Sequence, residues 1–401
     1  MKDIVIIANF CRNFSKTDNG RFMYLCKELS RNNNVEIITN DFNHDLKKHK
    51  DPIKHDWPFT ITFLHEPGYK KNISLQRFIS HFSWGREVAK YLEKRKKPDV
   101  IYCAIPSLTA PLMAAKYCEK NEIRFIIDIQ DLWPEAFQMV VNIPVLSKVA
   151  FAPFMLRADE IYKRADAVCG VSQRYVDRAL SVNKKCQRGH VVFLGTSLET
   201  FDNYSVTAEP IIRKECTDEI WLGYCGQLGA SYDIPCVISA LKLLKDRGKK
   251  PPKFIVMGDG ERKAEFERYA YEAGVDAVFL GALPYDQMCA QLVLCDIVVN
   301  PIKKGSAASI INKHGDYASS GLPVINTQDS PEYRGLVEEY NMGFNCTNGC
   351  SEEVAEKLSI LIDDKLLRDE MGRNARKCAE QKFDRSRTYH ELIQCILVDG
   401  E

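Results

Sequence analysis

Residues 253–302 read KFIVMGDGERKAEFERYAYEAGVDAVFLGALPYDQMCAQLVLCDIVVNPI. Three short apolar runs, KFIVM, AVFLGAL and DIVVNPI, alternate with two longer segments of helical spacing, RKAEFERYAYEAG and YDQMCAQLVLC. Runs without polar alternation fit strands buried on both faces, and helices between them fit a parallel sheet. The first strand ends in Gly-Asp-Gly (Gly258 and Gly260), so its loop can approach a ligand closely.

The same alternation extends in both directions. Upstream, IWLGYCGQLG is a strand entering a second glycine loop (Gly226, Gly229), and IPCVISALKLLKDRG is a helix that Gly248 stops. Downstream, SAASIINKHGDYASSGLPVIN (306–326) leads into the strand PVINT, and helices EEVAEKLSILIDD, LLRDEMGRNARKCAEQ and DRSRTYHELIQCIL follow. The first half repeats the theme with strands DIVIIAN, VEIITN, DVIYCAI, RFIIDIQD, DAVCGVS and HVVFLG between helical segments. Residues 196–218 are polar and read as an irregular linker. The pattern is α/β: two Rossmann-like domains facing each other across a cleft, the first over 1–196, the second over 197–384. A terminal helix of about 385–401 is expected to pack back on the first domain. Sheets of this kind bind ligands beyond the carboxyl ends of their strands.

Composition narrows the function. A chain of 401 residues suits two domains, and a formal net charge of +1 gives no reason to expect nucleic acid. Fifteen Cys have no metal-like spacing and read as reduced core thiols of a cytoplasmic protein. The remaining His, among them His44, His49, His55 and His314, show no ligand spacing and read as surface or loop residues; no metal site and no cofactor are expected. The opening MKDIVIIANF is too short in its apolar run for a signal peptide, and no stretch reaches the ~20 apolar residues of a membrane span. The segment 143–165 mixes apolar and basic residues, as do YKK, LQRF and GREVAKYLEKRKK. They read either as solvated helix faces or as a peripheral contact with the inner face of the cytoplasmic membrane.

In the segment 306–326, small residues including Ala308 permit close approach to a ligand, and Lys313 offers a compact cation for a phosphate. A helix from Asn312 sets Asp316 one turn on, near Lys313, where a carboxylate can accept hydrogen bonds from a ribose diol. The competing reading is a plain surface i,i+3 ion pair.

NKHGDYASSGLPVI resembles the donor-site signature of retaining glycosyltransferases of the GT-B architecture, specifically glycosyltransferase family 4. YCGQLG, FIVMGDGERKAEFERYA, VFLGALPYDQM and CDIVVNPI resemble further motifs of that family in the same order, and the likeness covers essentially the whole chain. DIQDLWPEAF resembles an element of relatives that build capsule, O-antigen and other exopolysaccharides.

The resemblance implies a transferase that moves a hexosyl-type sugar from a nucleoside-diphosphate sugar, with retention, to a glycan or polyprenyl-diphosphate-linked acceptor. By position it implies that Asp316 binds the ribose and that Lys313 holds the diphosphate and assists catalysis. Gly20, Gly226 and Gln227 fall at the phosphates or sugar, and Ala282 and Leu283 at the base. Gly258, Gly260, Ala308 and Asn312 line the same donor loops. Asp131 and Glu135 are the candidates to orient or deprotonate the acceptor hydroxyl. The chain departs from the family at three places: Ala308 and Asp316 stand where the family has two Glu, Gln130 stands for a His, and Gly229-Ala230-Ser231 lacks basic residues. Two other readings therefore stay open, a non-catalytic nucleotide-sugar-binding subunit and a nucleotide-sugar epimerase on the same fold.

Overall fold

The structure, a computed structural model, describes residues 1–44, 46–50, 56–72, 74–135, 144–305 and 309–398, with side chains 144–150 left undescribed. The chain divides into two compact units, Met1–Phe193 with Thr388–Glu401, and Leu194–Arg387.

The first unit is built on a sheet of seven parallel strands. In chain order the unit's strands are β1 (Asp3–Ile7), β2 (Asn34–Asn40), the ribbon strands β3 (Phe42–Asn43) and β4 (Lys48–His49), β5 (Thr60–Leu64), β6 (Val100–Ile105), β7 (Arg124–Ile129), β8 (Ala167–Gly170) and β9 (His190–Val191). The sheet order is β5-β2-β1-β6-β7-β8-β9; β3 and β4 pair only with each other. Helices α1 (Arg21–Ser30), α2 (Leu75–Lys94), α3 (Thr109–Asn121), α4 (Pro144–Arg164) and α5 (Gln173–Leu180) connect the strands. The core follows from the uninterrupted runs: Ile4, Ile6, Ile37, Tyr102 and Ile126 are fully buried. A buried bidentate ion pair crosses it, with Arg21 Nε and Nη2 each 2.9 Å from Asp128. Arg21 also donates to Tyr389 Oη at 2.8 Å, and Leu392 and Ile396 of the last helix lie in the same core.

In the second unit, α6 (Leu198–Thr207) precedes β10 (Trp221–Cys225), α7 (Ile234–Asp246), β11 (Lys253–Met257), α8 (Lys263–Glu272), β12 (Ala277–Gly281), α9 (Tyr285–Leu292), β13 (Ile297–Asn300), α10 (Asn312–Ser319), β14 (Val324–Asn326), α11 (Pro331–Glu339) and β15 (Gly343–Asn345). α12 (Ser351–Asp363) and α13 (Lys365–Cys378) follow, then a π-helical turn at Ala379–Phe383. The sheet order is β12-β11-β10-β13-β14-β15 with parallel pairing throughout. Relabelled in sequence order this is 3-2-1-4-5-6, the doubly wound order, and the chain reverses direction across the sheet between β10 and β13. That switch point is where such sheets seat ligands.

Two expectations are corrected, and one strand was not foreseen. Residues 196–218 are not irregular throughout: Ser197 caps α6 by accepting from Thr200 N at 3.3 Å, and the helix buries Leu198 and Phe201. The run HVVFLG holds a strand only at His190–Val191; Gly195, at φ +57°, then turns the chain away and Thr196 bridges Asp384. β5 escapes sequence reading because an edge strand with a mixed burial pattern carries no continuous apolar run.

Candidate active site

The ends of β10, β11 and β13 build the strongest constellation. After β10 the backbone must turn sharply at Gly226, whose φ of +137° is closed to side-chain-bearing residues. Gly226 N donates to Met257 O at 3.0 Å, and Leu228 N to Asp259 O at 2.8 Å, so the first and second glycine loops are stitched together. A Cβ on Gly258 would lie 1.8 Å from Gly226 O, and one on Gly260 would lie 2.5 Å from Leu228 O. The glycines therefore serve the approach of one loop to the other. For Gly226 this revises its expected role, because its N–H is already committed.

Lys313 enters this turn from α10. Its side chain is 7% exposed, and its Nζ has no hydrogen-bond partner among the described residues. The amine sits 4.2 Å from the ring centroids of both Tyr224 and Tyr232. It would lie 2.9 Å from a Cβ on Gly226, so only glycine leaves room for it. Burial pushes its pKa down from 10.5 to about 7, with Cys225 opposing weakly. The surface ion pair with Asp316 is absent among the described residues. A buried amine held between two rings, with no carboxylate beside it, is poised for an anion that the protein does not supply.

Three contacts hold α10 so that Lys313 points there. Tyr317 Oη accepts from Cys225 N at 3.0 Å and donates to Val299 O at 3.1 Å, tying the helix to β10 and β13. His314 is fully buried, stacked on Tyr333 with centroids 3.5 Å apart, and its ring meets Asn300 Nδ2 at 3.2 Å. It is thus a core residue and not the surface or loop histidine expected. Gly315 packs against the Gly195–Thr196 backbone, where a Cβ would come within 3.2 Å.

Asp316, three residues on from Lys313, is half-buried and accepts from Tyr285 Oη at 2.8 Å; Tyr285 Oη in turn meets Thr196 Oγ1 at 2.9 Å. Asn312, the first residue of α10, is exposed. Gln227 and Ala282 are exposed and Leu283 is half-buried; Ala282 and Leu283 follow Gly281, which bridges Gly258. Ala308 and His55 lie outside the described residues, as does Ile143, the first residue of the segment read for membrane contact. Sequence reasoning missed Tyr224, Tyr232, Tyr285 and Thr196. Position alone marked the first: Tyr224 stands at the end of a strand entering a glycine loop.

The other expected site residues belong to the first unit. Gly20 caps α1 and its N–H goes to Asp18 Oδ1 at 2.8 Å. Asp131 accepts from Trp133 Nε1 at 3.2 Å, and burial lifts its carboxyl to a pKa of about 6 against the pull of that bond and of Arg77. Arg77 lies over the Trp133 ring, 4.5 Å from its centroid. Glu135 Oε1 takes Arg178 Nε at 2.6 Å, while Oε2 is buried without a partner among the described residues. Asp131 is therefore the carboxylate able to exchange a proton near neutrality, while Glu135 is engaged in an ion pair with Arg178.

The chain is similar to known proteins over part or all of its length. Residues 209–378 match the family Glycosyl transferases group 1. The sulfoquinovosyl transferase SQD2 of Arabidopsis thaliana is 30% identical over 152 residues, covering 37% of this chain and 29% of that one. The capsular polysaccharide biosynthesis glycosyltransferase CapM of Staphylococcus aureus is 25% identical over 208 residues, covering 49% of this chain and 51% of that one. The matches thus span about half or less of these relatives. HepE of Anabaena, solved with UDP and glucose, shares 15% identity but has the same fold, with a TM-score of 0.68 over 100% of both chains. No described helix is long and apolar enough to cross a membrane. The two parallel-sheet units match the GT-B architecture, and residues 209–378 carry the pattern of the group 1 glycosyl transferases.

Proposed function

We propose that the chain transfers a sugar from a nucleoside-diphosphate sugar, with retention at the anomeric carbon, to a glycan or lipid-linked acceptor in the synthesis of a surface polysaccharide. One observation carries the reading: the buried, unpartnered Lys313 amine beside Gly226 at the switch point of the second sheet. A diphosphate seated there meets a cation in a low-dielectric setting together with the N-terminal end of α10. As the sugar–phosphate bond breaks, negative charge gathers on the leaving diphosphate, and fixed positive charge stabilises it where it develops. Asp316 receives the ribose hydroxyls, already oriented by Tyr285, and the base rests against Ala282 and Leu283. Asp131, with its pKa near 6, receives the proton of the acceptor hydroxyl.

HepE binds UDP in the solved structure, which makes uridine the first donor base to try, and the capsular relative supports a polysaccharide acceptor. The family match favours transfer over the epimerase and non-catalytic readings. Work at the inner face of the cytoplasmic membrane belongs to the same proposal. The test is a thermal-shift panel of nucleoside diphosphates and their sugars. A ligand at about 100 times its Kd adds roughly 2.7 kcal/mol, so a single stabilising nucleotide class is expected. No stabilisation by any of them at saturating concentration would refute the donor site.

A further inference from the structure

The register of the first sheet gathers three ligand-type side chains far apart in sequence. β2 and β5 are parallel and pair Asn40 with Leu64, so the residues that follow, Asp41 and His65, emerge side by side. The ribbon β3–β4 pairs Phe42 with His49, which returns His49 to the same corner. His65 Nδ1 lies 2.9 Å from Asp41 Oδ2, and His49 Nδ1 lies 3.5 Å from Asp41 Oδ1. The two imidazoles are stacked, with centroids 5.3 Å apart and planes 15° from parallel. One ligand atom from each residue falls within 4.8 Å of the others.

We propose that Asp41, His49 and His65 form a binding site for a divalent transition metal of the zinc class. Metal–ligand bonds of about 2.1 Å set tetrahedral ligand separations of about 3.4 Å. His65 and His49 reach the two Asp41 oxygens at 2.9 and 3.5 Å, and with all three ligand atoms within 4.8 Å small side-chain shifts bring them onto one ion. Two imidazoles and one carboxylate suit Zn²⁺, Co²⁺, Ni²⁺ or Cu²⁺ and not the oxygen-seeking Mg²⁺ or Ca²⁺. Three protein ligands leave the remaining position to water. Asp41 has a supporting contact of its own, since Glu66 N donates to Oδ1 at 2.8 Å and fixes the carboxylate. No lysine or arginine pairs with Asp41 among the described residues; Lys50 Nζ turns instead to Asn40 O at 2.9 Å. Both histidines are at the surface, so the ion has a path in. When bound, it ties the β3–β4 ribbon to the end of β5.

The test is titration of the tag-free full chain, under a non-chelating reductant, with Co²⁺ followed by absorption and with Zn²⁺ followed by heat. His49→Ala, His65→Ala and the distant His190→Ala are compared. The expected result is one equivalent bound, a cobalt spectrum without thiolate charge transfer, and a loss of affinity of more than about tenfold in each of the first two variants but not the third. Metal-free melting checks that the variants remain folded, as surface substitutions should. No uptake, a thiolate spectrum from the cysteines, or binding that survives both substitutions would each overturn the proposal.

Discussion

Replacing Lys313 by Met should make the ligand-free protein more stable while removing its affinity for a nucleoside diphosphate. The side chain keeps its length and apolar stem, and loses only the amine. In the folded chain that amine titrates near 7 and in the unfolded chain near 10.5. At about 1.36 kcal/mol per pH unit, holding it costs about 5 kcal/mol below pH 7. Between pH 7 and 10.5 the unfolded chain binds a proton that the folded one does not, so wild-type stability rises with pH. The advantage of Lys313→Met is then about 4 kcal/mol at pH 7 and under about 1 kcal/mol at pH 10. These are upper figures, because water and local shifts relieve part of the burial cost. Urea unfolding of both proteins across this pH range reads the difference directly. Calorimetry in buffers of different ionisation enthalpy adds a second reading. Near pH 8 the wild type should take up nearly one proton as the diphosphate binds and recharges the amine. A Lys313→Met protein less stable than wild type, a difference that does not change with pH, or undiminished nucleotide binding would refute the reasoning.

Three further outcomes are expected. Asp316→Asn keeps a partner for Tyr285 but loses its charge; a charged hydrogen bond is worth about 1.5–3 kcal/mol, so UDP should bind roughly 10–100-fold more weakly while inorganic diphosphate is unaffected, as competition titration would show. Gly258→Ala forces a Cβ toward Gly226 O, 1.8 Å away before relaxation, and should cost about 2–4 kcal/mol in urea unfolding and weaken nucleotide binding with it. Asp131→Asn should abolish transfer with donor binding intact. Its carboxyl is raised to about 6, so it lowers stability as pH rises from 3.8 through 6; the variant should gain up to about 3 kcal/mol at pH 7, and wild-type kcat/KM should rise with pH through about 6.

The strands were legible where they are buried on both faces, as in DVIYCAI and DIVVNPI, because continuous apolar runs have few other uses. β5 and α6 were not, because an edge strand and a half-exposed helix carry mixed patterns that tertiary pairing completes. Lys313 was singled out as a candidate from its segment. Its burial was not, since the rings that enclose it come from Tyr224 and Tyr232, far upstream on another strand and its loop. Gly226 was expected to bring backbone to the phosphates or sugar, yet its space is taken by the lysine and its N–H by Met257, a division that only the paired loops reveal. His314 looked like a loop residue, and its stack on Tyr333 made it core. The Asp41–His49–His65 cluster left no motif because its spacing is set by sheet register.

The most direct test of the account is a crystal structure of the chain with whichever nucleoside diphosphate stabilises it most. The account predicts the diphosphate within hydrogen-bonding distance of Lys313 Nζ at the end of β10, a ribose hydroxyl on Asp316 and the base against Ala282 and Leu283. A nucleotide seated away from the carboxyl ends of β10 and β13, with Lys313 still enclosed by Tyr224 and Tyr232 and touching no phosphate, would contradict it.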